Sequence, residues 1–171
     1  MTAPPDYFTL FHLEPRFDLD VTELTRRYRD VQSEIHPDRY AGKSAQEQRL
    51  AVQQAAFVNE AYQCLKQPLM RARYLLGLLQ PQLVGAQVAL DATFLMEQME
   101  LREQLDALTK APVSKQNEFC DVVTHRREQI QQDFLREFNA KQYKHASMAI
   151  SQWQFFDKLQ QEADNLLNQY D

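Results

Sequence analysis

Glycine occurs only three times in 171 residues, at Gly42, Gly77 and Gly85. It is the one residue that turns through positive φ without steric cost, so a chain this poor in it can build few tight hairpins. Leu, Gln, Ala, Glu and Arg, which dominate instead, favour helix. The sequence therefore predicts an all-α protein. With 44% hydrophobic residues the chain can bury one core or two small ones. Pro81 and Gly85 break the pattern, which predicts an N-terminal domain over 1–79, a linker over 80–90 and a C-terminal domain over 91–171.

The first half reads as short helix, long helix, loop, long helix, short helix. Asp6 can cap a helix through Phe11, and Asp20-Val21-Thr22-Glu23 has the spacing of a capping box opening a second. Val21, Leu24, Tyr28, Val31 and Ile35 recur every three or four residues, forming one apolar stripe. Ser44-Ala45-Gln46-Glu47 is a second capping-box pattern, opening a helix to about Lys66 that turns Leu50, Phe57, Val58, Ala61 and Leu65 inward. Pro68 suits the first turn of a fourth helix ending near Leu79. The short loop makes helices two and three an antiparallel hairpin.

Beyond the linker, three long patterns run from about Thr93 to Thr109, from Ser114 to Phe138 and from about Lys141 to Asn168. Ala146, Ala149, Trp153, Phe156, Ala163 and Leu167 mark the buried side of the last one. Three amphipathic helices with short connections predict an antiparallel three-helix bundle. In the first of these, Phe94, Leu101, Leu105 and Leu108 share one side, whereas Leu95, Met96 and Met99 point elsewhere. Those three are either the breadth of a buried face, a contact with the first domain, or an exposed binding patch of the kind methionine suits.

Charge excludes some classes of partner. Residues 1–77 carry ten Lys/Arg and ten Asp/Glu, and 78–171 carry nine and fourteen, so the net charge of -5 sits in the second half and nucleic acid is not expected as a partner. The first apolar cluster is broken by charge, and no basic n-region, Arg/Ser-rich leader or long apolar run precedes it. The expectation is a cytoplasmic protein without a membrane partner. Cys64 and Cys120 are too few for a disulfide framework or a four-thiolate metal site and read as small core residues.

His36-Pro37-Asp38 is the most informative tripeptide. Proline fixes its own φ and pushes the preceding residue out of the helical region. Helix two should therefore end there, with an imidazole and a carboxylate on one stiff turn. A carboxylate so placed can take a bidentate arginine from a partner. The alternatives are a helix-ending turn without function, a fragment of a metal site, or a catalytic acid/base pair using His36 and Asp38. No second His or Cys stands at ligand spacing, no Gly-rich phosphate loop exists, and no Ser or Cys sits in a nucleophile motif. No metal ligands, cofactor, small-molecule substrate or enzymatic activity are expected.

In order and spacing, Asp6-Tyr7-Phe8 with Leu10, the Tyr28 helix, His36-Pro37-Asp38, Val58-Asn59-Glu60-Ala61-Tyr62 with Leu65, and Pro68 with Arg71-Ala72-Arg73-Tyr74 make residues 6–77 resemble a J-domain. The resemblance implies that His36, Pro37 and Asp38 form the loop that triggers ATP hydrolysis on a DnaK-type chaperone. It further implies that Arg26, Arg27 and Arg29, which could equally form i,i+4 pairs on a solvated face, dock on the acidic surface of that ATPase.

A general J-protein continues into a Gly/Phe-rich linker and Cys-x-x-Cys zinc repeats, and neither is present. Instead, Phe94-Leu95-Met96-Glu97-Gln98 and Pro68-Leu69-Met70-Arg71-Ala72 make the whole chain similar to the J-type co-chaperones of iron-sulfur cluster assembly. That family's implied partners are the DnaK-type chaperone HscA and the scaffold protein IscU, with Leu95, Met96, Met99, Glu100, Glu103 and Phe155 as client-binding positions. Ala107 stands where family members can carry an acidic residue, which shortens the acidic rim. The Cys-x-x-Cys extension of some eukaryotic relatives and a mitochondrial leader are both absent, so the expected setting is bacterial cytoplasm. A J-protein with a broader client set is the neighbouring alternative.

Overall fold

A computed structural model describes residues 6–35, 40, 42–83, 85 and 91–168. Among them every regular element is helical: α1 (Tyr7–Leu10), α2 (Val21–Ile35), α3 (Ala45–Lys66), α4 (Pro68–Leu79), a 3₁₀ turn (Pro81–Leu83), α5 (Ala92–Leu108), α6 (Val113–Asn139) and α7 (Tyr143–Leu167). The chain divides into two compact units, Met1–Leu75 and Leu76–Asp171. No described helix is long and apolar enough to cross a membrane.

In the first unit α2 and α3 run antiparallel. Thr25 Oγ1 lies 3.1 Å from the Tyr62 hydroxyl, Tyr28 Oη donates to Asn59 Oδ1 at 2.8 Å, and the Tyr28 and Tyr62 rings stack 4.1 Å apart. Aromatic stacking adds to area burial here, which fixes the register as well as the pairing. Tyr7 of α1 stacks on Tyr74 of α4 at 4.3 Å and meets Phe57 of α3 edge-on. The core beneath holds Phe8, Phe11, Leu24, Ala61 and Leu65.

Several sequence expectations need correction. Leu50 is 53% exposed rather than inward, because in the register that sets Tyr28 against Asn59 it lies beyond the last described residue of α2. An open apolar cleft of about 420 Å³ lies between Leu10, Val31, Ile35 and Phe57. Val21 is likewise exposed at the start of α2, leaving Leu24 as the buried anchor of the stripe. The capping box at Asp20 is only half formed: Asp20 Oδ1 accepts from the Thr22 and Glu23 N–H groups, but the Glu23 carboxylate turns to Arg26 and Arg27. At α3 the reciprocal box is complete, with Ser44 Oγ accepting from Glu47 N and Glu47 Oε2 accepting from Ser44 N.

In the second unit α6 and α7 are the principal antiparallel pair. Thr124 bonds Gln160 at 2.8 Å, Arg127 pairs with Asp157, and Phe134 packs on Trp153, in one continuous register. The buried side of α7 is Ala146, Ala149, Trp153, Phe156 and Ala163, as expected, while Leu167 is half-buried. Of the cysteines, Cys120 is buried, but Cys64 in the first unit is half-buried. Between α6 and α7, Lys141 takes φ 60°. Gln142 N donates to Glu137 O and Lys141 N to Phe138 O, a Schellman turn built without glycine. After α1, His12 repeats the device at φ 53°, with Leu13 N on Phe8 O and His12 N on Thr9 O.

Candidate functional site

The sequence marks two surfaces, one in each unit. In the first, α2 is described as far as Ile35, the residue before His36-Pro37-Asp38. His36, Pro37 and Asp38 themselves lie outside the described residues.

The α2 arginines are placed in three different ways. Arg26 is exposed and lies between two carboxylates, its Nη2 2.7 Å from Glu23 Oε1 and its Nη1 3.4 Å from Asp30 Oδ2. Arg27 is half-buried and turned back on its own unit: Nε meets Glu23 at 2.6 Å, while Nη1 donates to the carbonyls of Phe11 and His12. Arg29 is exposed. Hydrogen bonds from Arg26 and Arg27 pull the Glu23 carboxyl from its ordinary 4.5 down to about 2. Behind this helix, burial and then the bond to Glu60 push the Tyr7 hydroxyl up to about 12.

In the second unit the site is built on α5. Asp91 caps it, its Oδ1 accepting from Thr93 N at 2.7 Å. Phe94, Leu101 and Leu105 are buried. Glu97 fixes the rotation of the helix through a two-pronged contact with Arg126 of α6, at 2.9 and 3.3 Å. At roughly 100° per residue, Leu95, Met99, Glu103, Met96 and Glu100 then span an arc of about 140° opposite the buried stripe. Accordingly Leu95 is 47%, Met96 66% and Met99 65% exposed, with Glu100 and Glu103 exposed beside them.

Phe155 of α7 joins this surface from the side. It is half-buried, edge-on to Phe94 at 5.9 Å and to Phe156 at 5.3 Å. With Gln98, Met99, Arg102 and Glu103 it lines an open cleft of about 510 Å³. Met99, Glu103 and Phe155 are thus brought together, and Leu95, Met96 and Glu100 extend the same face along α5.

Arg102 was not singled out in the sequence. Its guanidinium lies 5.6 Å from the centre of the Phe155 ring and ion-pairs with Glu162 of α7. Its spacing, three residues after Met99 and seven after Leu95, is the signal that places it on the flank of the same face. An exposed apolar centre rimmed by carboxylates fits a protein surface with apolar side chains and neighbouring cations.

Residues 90–164 match the family described as the HSCB C-terminal oligomerisation domain. Among solved structures, the chain is similar to the chaperone HscB from Vibrio cholerae, at 36% identity with a TM-score of 0.86, over 96% of this chain and 99% of that one. The human co-chaperone protein HscB has the same fold at 24% identity and a TM-score of 0.85, covering 96% of this chain and 83% of its own. The Jac1 co-chaperone from Saccharomyces cerevisiae also shares it, at 19% identity and a TM-score of 0.70, with 93% and 92% covered.

Proposed function

The chain belongs to the HscB family of co-chaperones, and from that premise we propose that it stimulates the ATPase of a DnaK-type chaperone, HscA, and delivers the iron-sulfur scaffold protein IscU to it. The observation that carries this reading is the exposed apolar arc of Leu95, Met96 and Met99 with its Glu100 and Glu103 rim and Phe155 alongside. Each aliphatic side chain of this size contributes about 1.5–3 kcal/mol when fully covered, so three suffice to organise a modest interface.

The division of labour follows the chain. A J-domain over residues 1–79 presents His36, Pro37 and Asp38 to the ATP state of the chaperone, with exposed Arg26 and Arg29 as the docking charges and Arg27 supporting α2 beneath them. The bundle over 91–171, beyond a linker at 80–90, holds the scaffold. Joining the two converts client capture into a local event at raised effective concentration. A preference for one nucleotide state of the chaperone couples hydrolysis to that capture. In this reading the chain performs no bond chemistry, binds no metal or cofactor of its own, and works in the bacterial cytoplasm.

The test is His36→Gln. It abolishes stimulation of the HscA ATPase while calorimetry shows unchanged affinity for IscU, and equal stimulation by the variant and the wild-type protein refutes the assignment.

A further inference from the structure

A second opening in the bundle adjoins the α5 face. Between the C-terminal half of α5 and the first half of α6 lies a cleft of about 360 Å³, lined by Ala107, Leu108, Phe119 and Val122, with Lys115 and Glu118 among its polar residues. Phe119 is buried and Leu108 half-buried, while Val122 stands 57% exposed. Lys115 and Glu118 pair at 2.8 Å and both are exposed. A β-branched apolar residue left open above an aromatic is a place where one more apolar side chain can be covered.

The cleft continues the arc already described. At roughly 100° per residue, Glu103, Met96, Ala107 and Glu100 fall within about 60° of one another around α5. A chain lying on Met96 and passing Glu100 and Glu103 therefore reaches Ala107 and the cleft without leaving that side of the helix. Ala107 is exposed and carries only a methyl group, so it does not close the entrance.

We propose that this α5–α6 cleft is a second subsite of the client-binding surface, taking one aliphatic side chain of the scaffold protein from a segment whose neighbouring cation meets Glu100 and Glu103. The inference rests on the reading of the α5 face as the scaffold site and extends it. Charge selects the occupant. A second copy of this chain placed symmetrically on the face sets its own carboxylates near the same carboxylates, whereas a cationic client segment neutralises them.

The experiment is calorimetric titration of the full chain with purified IscU. Val122→Asp, at an exposed position that tolerates the change, weakens binding about five- to tenfold, and Val122→Ile stays within about twofold of wild type. Ala107→Arg, which fills the entrance from the other helix, reproduces the loss and guards against a folding effect at Val122. Circular dichroism and melting temperature check each variant. Wild-type affinity in both Val122→Asp and Ala107→Arg overturns the subsite.

Joint replacement of Leu95, Met96 and Met99 by alanine separates the two readings. If that variant loses affinity and the cleft variants do not, the α5 assignment stands and the subsite falls. If neither loses affinity, both fall. If only the cleft variants lose it, the α5 reading falls, and with it the claim that the cleft is a second subsite of that surface. A wild-type dimer in sedimentation velocity that Val122→Asp converts to monomer assigns the cleft to a second copy and overturns the proposal.

Discussion

Arg27 Nη1 donates to the carbonyl oxygen of Phe11 at 3.0 Å, joining the middle of α2 to the turn that closes α1. The same nitrogen reaches the carbonyl of His12, whose φ of 53° turns the backbone there. A guanidinium on the charged side of a helix is thereby used to hold two helices of the N-terminal unit together, and the carbonyls it satisfies have no other cation supplied by α2 in this geometry.

Arg27 and Arg29 should therefore behave differently. Arg27→Ala removes hydrogen bonds made by a charged donor and lowers the unfolding free energy of the protein by about 1.5–3 kcal/mol. Arg29→Ala stays within about 0.5 kcal/mol of wild type and, under the proposed function, instead raises the concentration needed to stimulate HscA. Denaturant titration beside a steady-state ATPase assay reads both, and equal stability of the two variants contradicts the distinction.

Glu23 is the centre of an acid-sensitive link. Its carboxyl is held near about 2 in the folded chain, first by the hydrogen bond from Arg26 and then by that from Arg27. A depressed folded value means the stabilisation is present above the ordinary 4.5 and is lost as pH falls from there toward 2. Wild-type stability, measured by urea unfolding, should drop over that window, and Glu23→Gln should flatten the drop. An identical acid profile in the variant removes Glu23 as its source.

Lys141 takes the left-handed position of the turn between α6 and α7, where a side chain costs more than glycine does. Lys141→Gly should raise stability by about 0.5–1 kcal/mol once the greater freedom of the unfolded chain is offset. Thermal unfolding followed by circular dichroism reads the shift, and a lower melting point for the variant shows that the lysine side chain contributes more than its backbone costs.

Much of the helical order was legible from local chemistry. Ser44 with Glu47 and Pro68 each act within four residues, so the starts of α3 and α4 follow from sequence to within a residue or two. Periodicity likewise separates Phe94, Leu101 and Leu105 from Leu95, Met96 and Met99, because residues on a rigid helix keep a fixed angular relation whatever surrounds them.

What a neighbouring element does with a face is another matter. Leu50 has the right phase to be inward, yet it stays 53% exposed. Val122 and Val123 are adjacent and chemically alike, and only the approach of α7 and the gap beside α5 bury one and leave the other open. Arg27 is one of three similar arginines until the turn after α1 comes within its reach.

By itself, then, the sequence determined the helices, their caps and the phase of their faces, since these depend on interactions spanning a few residues. The tertiary structure alone decided which faces are covered, which charges are engaged and where Phe155 meets Met99 and Glu103, because these depend on contacts between segments far apart in the chain.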